Sequence, residues 1–281
     1  MAQFLSYFAQ LLLYSLVPFV AFGLLIYCAQ RLFCLFVTPE NGRPLLLAVS
    51  VLSTPLRVAG QAVACFLFAH RIEDICFFDP RAEDGEFGYL DHSYNPKNPL
   101  AVIGNFFFAV GPVLTGLFAV LVVALSCFHG AFFSYAEEIG ALRESGAGIG
   151  AYAATALRFI PSVFGDRNTA VFPKIAGCVL MLLIAFSVLL TPADLRDAFG
   201  GIFTVVGLLF LFSGALCLFD ERVRRMMLGA FRSFFMYLLA LFSLALLFAA
   251  ALVAFAFLYA TVVGFFAPTA SGEEMNDGKN D

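Results

Sequence analysis

The chain has 281 residues, of which 62% are hydrophobic and 13% are charged, against about 45–50% and about 25% in ordinary soluble domains. This composition excludes a soluble globular domain, because apolar runs of ~20 residues cross a bilayer as helices that satisfy their own backbone groups. The net charge of −4 is spread over many loops and no basic tract is present, which excludes a nucleic-acid-binding protein. We predict an all-α polytopic membrane protein, with one membrane domain over residues 1–268 and a polar, disordered tail over 269–281.

Six apolar stretches are long enough to cross the bilayer as helices. Pro18 predicts a kink in the first of them. The second contains Arg57, and since a charge near mid-membrane costs roughly a few kcal/mol, this side chain is expected to face protein or water. The six spans are predicted at residues 11–28, 44–69, 100–128, 171–190, 199–219 and 236–266.

Two polar segments lie between these spans. Residues 71–99 hold ten charges, and residues 72–78 and 86–94 alternate enough to predict a β-hairpin connected by residues 79–85. Residues 129–170 are less apolar than the spans and predict amphipathic helices at the membrane interface, broken at residues 145–148. A plain connecting loop is the alternative for this second segment.

The remaining polar and special residues give weaker signals. Seven cysteines form no CxxC pair and lie mostly in apolar runs, which favours small buried hydrophobes over metal ligands or disulfides. His92 is expected to shape the hairpin or its membrane contact, and Asn105 to form a hydrogen bond across helices or to the hairpin, with substrate clamping as an alternative. Gly111 and Pro112 predict close helix approach and a kink. None of the three histidines has a histidine partner at i+4, so a metal site built from them is disfavoured.

Three blocks occur in a characteristic order. The first block begins at residues 54–61 (TPLRVAGQ) and continues through an apolar segment to residues 70–72 (HRI). The second is the polar segment that ends in residues 88–95 (GYLDHSYN). The third is residues 103–116 (IGNFFFAVGPVLTG). This order resembles the catalytic core of the site-2 protease family, which are zinc metalloproteases that cut within the membrane. In that family an HExxH helix precedes a membrane-dipping β-hairpin, and a helix bearing Gly-Pro follows.

The resemblance implies that the zinc site is lost. It places Arg57 and Gln61 at the two histidines of HExxH and Val58 at the glutamate, while Asp194 is the best match for the aspartate ligand, although the Leu-Asp-Gly pattern is absent. A guanidinium has no lone pair for a metal and valine cannot take a proton. A glutamine oxygen alone is a poor zinc ligand. We therefore expect no zinc and no other cofactor.

A rewired site is our hypothesis for these positions. Arg57 would supply a fixed positive charge and pair with Asp194, and Gln61, one turn along the same face, would hydrogen-bond into the pair. The alternative is that Arg57 faces a wet cleft or lipid headgroups alone.

The expected function is a non-catalytic adaptor in a bacterial-type plasma (inner) membrane. It would hold a membrane-protein partner or substrate helix in the former cleft, with possible contacts from His92, Asn105, Gly111 and Pro112. An active metalloprotease with unorthodox ligands is the alternative, and a transporter or channel is less favoured. In the family topology, the hairpin, Asp194 and both termini lie in the cytoplasm. The loops on the other side of the membrane hold ten basic residues, whereas the segments on the hairpin side hold five. Because cytoplasmic loops are the ones enriched in Lys and Arg, this count favours the opposite orientation.

Overall fold

The computed structural model describes residues 2–82, 87–147, 149–166, 169–187 and 192–266. Within these ranges, the side chains of residues 2, 39, 41, 99, 149, 192–201 and 264–266 lie outside the description, as does the predicted tail. The described chain is mostly helical, with two short strands. Its elements are Ala2–Tyr14 (α1), Leu16–Phe36 (α2), Pro39–Leu67 (α3), Arg71–Cys76 (β1), Tyr89–Ser93 (β2), Pro99–Cys127 (α4), His129–Glu144 (α5), Ile149–Gly165 (α6), Val171–Ala185 (α7), Pro192–Leu216 (α8) and Glu221–Phe266 (α9).

Four helical segments are long and apolar enough to cross a membrane, which supports the prediction of a membrane protein. They correspond to the first, second, third and sixth predicted spans, and are Gln3–Phe36, Gly42–Leu67, Leu100–Cys127 and Glu221–Val263. The fourth and fifth predicted spans correspond to shorter apolar helices, Val171–Ala185 and Ile202–Leu216. The fifteen residues of α7 rise about 22 Å, less than the ~30 Å of a hydrocarbon core, whereas the 25 residues of α8, of which Ile202–Leu216 is a part, rise about 37 Å. Four segments of the described chain meet the requirements of both length and composition, and the number of six spans stays a prediction.

The kink predicted from Pro18 lies three residues earlier, at Ser15, which separates α1 from α2. Proline has no N–H, so Pro18 cannot donate the helical hydrogen bond to the carbonyl of Tyr14. At the same place, the hydroxyl of Ser15 donates to the carbonyl of Leu11 at 2.7 Å. The first span is therefore two helices that meet at a break.

Helix α4 lies at the centre of the bundle, where it packs against α3, α7, α8 and α9. The main core combines the apolar face of α4 with large side chains from α5, α6 and α9, among them Phe132, Phe159 and Phe242. Helix α2 packs along α9 and contributes Ile26 to this core. The central position of α4 matters because it carries both Asn105 and the Gly111-Pro112 pair.

The segment between the third and fourth predicted spans is helical, so the alternative of a plain loop is wrong. Helices α5 and α6 are separated near Gly146, whose φ of +66° belongs to the left-handed region that glycine adopts readily. Helix α5 buries one face, and the Tyr135 hydroxyl lies 2.6 Å from the Ser243 hydroxyl of α9. Whether these helices lie at the membrane interface stays a prediction.

The predicted hairpin is present between the second and third predicted spans. β1 pairs with β2 in antiparallel fashion, with Arg71 opposite Ser93 and Cys76 opposite Tyr89, and with an irregularity in register after Ile72. Residues 83–86 of the connection lie outside the described residues.

Candidate functional site at helices α3 and α4 and the hairpin

Helices α3 and α4 approach each other backbone to backbone. A Cβ atom built on Gly60 would lie 2.5 Å from the carbonyl oxygen of Gly111, so neither position leaves room for a side chain. Nearby, the Thr115 hydroxyl lies 3.0 Å from the carbonyl of Leu56 and bonds across the two helices. The close approach predicted from Gly111 is confirmed, while α4 continues as a helix through Pro112.

The residues that the resemblance aligns with HExxH lie on α3, which makes this contact. Since α3 is helical over residues 57–61, Arg57 and Gln61 share one face. Gln61 is buried, Arg57 is half-buried, and both are engaged in interactions. Asp194 lies in α8 but its side chain is outside the described residues. The predicted pair between Arg57 and Asp194 therefore stays a prediction.

Val58 is buried among apolar side chains. Its side chain is 1% exposed and belongs to a small buried cluster with Leu90 of β2 and Phe108 of α4. The position where the resemblance would place a general base thus faces the hairpin and α4. It offers no atom that can accept a proton.

Two histidines meet between α3, β2 and α4. The His70 ring stacks on the His92 ring, with centroids 5.0 Å apart and planes 5° apart, and His92 lies 3.9 Å from the Phe108 ring centroid. The buried His70 also donates from Nε2 to the carbonyl of Ala101 at 2.8 Å. The expectation that His92 shapes the hairpin is consistent with these contacts, which tie β2 to both helices. The stacking of His70 on His92 could not be predicted from the spacing of the two residues in the sequence, because it depends on how the hairpin folds back onto α3.

The two imidazoles do not make a metal centre by themselves. A structural or catalytic zinc site needs three or four protein ligands. Across the part of the chain that the structure describes, no group of three or more His, Cys, Asp or Glu side chains lies together.

The hairpin runs back along α3 over most of its length. Its base lies at His70, and further along a Cβ atom on Gly88 would lie 2.6 Å from the Thr54 methyl group. Near the tip, Nη2 of Arg43 donates to the carbonyl of Pro80 at 3.2 Å. The hairpin therefore passes from the end of α3 to its first turns, beside a helix long enough to cross a membrane.

Each strand has a single partner strand within the described chain. The outer edges of β1 and β2 therefore have no neighbouring strand among the described residues and form a template for one, although the N–H of Ile75 donates to the Asp74 carboxylate. Large side chains on this hairpin are also exposed, including Ile72, Phe77 and Tyr89. Asn105 is half-buried on α4, and its predicted hydrogen bond is not found to any residue in the described ranges.

In comparisons with protein-family models, curated proteins and solved structures, none matches the chain. The resemblance to the site-2 protease family therefore depends on the sequence blocks and their order.

Proposed function

We propose that this chain is a multi-pass membrane protein with a site-2 protease-like frame, and that it binds a membrane-protein segment without cutting it. Its home would be a plasma (inner) membrane. The two shorter apolar helices, Val171–Ala185 and Ile202–Leu216, would complete six spans. The bound segment would lie along the outer edge of the hairpin, which packs on helices α3 and α4.

One observation carries this proposal, namely that an open two-stranded hairpin lies along a membrane-length helix. In an apolar environment each unsatisfied backbone group costs several kcal/mol, so the outer edge of the hairpin favours a partner that supplies backbone hydrogen bonds. An extended segment can provide them by adding a strand. The exposed side chains of Ile72 and Tyr89 would then contact that segment.

The residues that the resemblance aligns with HExxH support a role without catalysis. Val58 fills the general-base position with a buried apolar side chain. Arg57 brings a permanent positive charge to a position where the resemblance requires a metal ligand, and a guanidinium has no lone pair to donate. A bound segment would therefore be held in place, with no activated water to attack it.

Site-specific photo-crosslinking in native membranes tests the proposal. A photoreactive residue at Ile72 or Tyr89 should crosslink to one apolar segment of a membrane protein, which mass spectrometry of the crosslinked peptide identifies. Phe203 is the control position, since it is 82% exposed on α8, away from the hairpin. Crosslinks to lipid alone, or the same protein partners from Phe203, would contradict the proposal.

A further inference from the structure

Two arginines meet on one tyrosine at the break between α1 and α2. Cζ of Arg143, at the end of α5, lies 4.0 Å from the ring centroid of Tyr14. Cζ of Arg232, in the first turns of α9, lies 4.7 Å from the same centroid, and its Nη2 donates to the Tyr14 hydroxyl at 2.5 Å. Both guanidinium groups thus use the same aromatic ring in cation–π contacts.

The break in the helix explains why Arg143 lies there. Pro18 leaves the carbonyl of Tyr14 without its helical donor, and Nη2 of Arg143 lies 3.5 Å from that oxygen. Nη1 of the same guanidinium is buried and forms no hydrogen bond to a described residue. Burial lowers the pKa of Arg143; Tyr14 and Tyr152 oppose this effect, and the charge of Arg232 adds a smaller lowering.

No carboxylate of the described residues forms an ion pair with either arginine. Arginine keeps its proton in proteins, so the cluster of Tyr14, Arg143 and Arg232 carries two positive charges. An anion at this position would relieve their mutual repulsion and accept the free donors. A planar guanidinium fork matches the oxygens of a phosphate group.

An apolar groove begins next to this cluster. Its cavity volume is about 200 Å³, smaller than the ~300–1,000 Å³ of sites that enclose a whole ligand, so it has room for part of an acyl chain. The groove is apolar except for Ser15, the residue after Tyr14, and it includes Phe235, about one helical turn beyond Arg232. Its other lining residues include Leu16, Val110, Leu114 and Leu238.

We propose that this place binds one anionic phospholipid, with its phosphate on Arg143 and Arg232 and part of an acyl chain in the groove. A free phosphate ion would gain nothing from the apolar groove. A zwitterionic lipid would bring an ammonium group towards two arginines. This site is separate from the hairpin and independent of the function proposed for it.

Native mass spectrometry of the full-length protein in detergent tests this site. Phosphatidylglycerol should be retained about tenfold better than phosphatidylcholine with the same acyl chains, since a charge-assisted hydrogen bond is worth about one to two powers of ten in affinity. The double variant Arg143→Gln/Arg232→Gln should lose this preference. The matched control Arg222→Gln/Arg225→Gln removes the same charge from exposed positions of α9 and should keep it.

Two further variants distinguish binding of a lipid from binding of a phosphate ion, and loss of binding from loss of folding. Leu114→Trp, which narrows the groove, should weaken retention of phosphatidylglycerol although both arginines remain. The single variant Arg232→Gln changes only an exposed side chain and should reduce retention severalfold in a folded protein. Equal retention of the two lipids, an equal loss in the control variant, or equal thermal stabilisation by inorganic phosphate would overturn the proposal.

Discussion

A Cβ atom placed on Gly111 would lie 2.6 Å from the carbonyl oxygen of Gly60, so these two glycines set the distance between α3 and α4. Both helices carry residues of the candidate site, with Arg57 and Gln61 on α3 and Phe108 on α4. A side chain at either glycine would have to separate two backbones, which are far less compliant than the end of a flexible side chain. The packing of α3 against α4 at the candidate site depends on this contact.

We expect Gly60→Ala and Gly111→Ala each to destabilise the protein by about 1–3 kcal/mol, the usual cost of overpacking. Thermal unfolding in detergent measures this loss. Gly207→Ala is the matched control, because a Cβ atom there meets nothing within 4 Å, and replacing a helical glycine by alanine should stabilise by about 0.5–1 kcal/mol. Equal melting temperatures for all three variants would show that the helices separate without cost.

Much of this fold could be predicted from the sequence, because its signals are local. Apolar length gave the four long helices, and alternation between residues 72 and 94 gave the hairpin. The number of six spans stays a prediction, since α7 has 15 residues and residues 188–191 lie outside the described ranges. Other features depend on contacts between distant residues. The stacking of His70 on His92 and the clustering of Arg143 with Arg232 have no periodic signal in the sequence, because each arises from packing between separate elements.

His70 should hold the hairpin against α4. In His70→Ala, the bond to the Ala101 carbonyl and the stacking on His92 are both lost, which removes about 1–3 kcal/mol of local stability. Amide hydrogen exchange in β2 should become about tenfold faster or more. His129→Ala is the control, since His129 is exposed and its ring contacts Phe133 of the same helix. Unchanged exchange in β2 would show that the two rings do not anchor the strand.

The position of the hairpin along α3 predicts a specific crosslink. Cysteines introduced at Thr54 and Gly88 would bring two Cβ atoms within disulfide reach, given the 2.6 Å between the Gly88 Cβ position and the Thr54 methyl group. Cys76 pairs with Tyr89, the neighbour of Gly88, so its thiol could compete for the introduced cysteines and the experiment needs Cys76→Ala. Mild oxidation should then join the two peptides in a proteolytic digest. A pair at Thr54 and Leu218, which is 87% exposed beyond α8, is the control and should stay unlinked.

If the chain has lost a zinc site as proposed, two substitutions should restore metal binding. Because α3 is helical over residues 57–61, the double variant Arg57→His/Gln61→His would present two imidazoles at i and i+4 on one face, with Asp194 as the expected third ligand. The double variant does not change Val58, so the packing of this side chain against Leu90 and Phe108 is kept. We expect close to one zinc ion per purified chain by elemental analysis, falling sharply when Asp194→Asn is added, and no zinc in the unsubstituted protein or in Arg57→His alone. A folded double variant without zinc would argue against the inherited frame. Near-stoichiometric zinc in the unsubstituted protein, lost on changing Asp194, would instead favour an active metalloprotease.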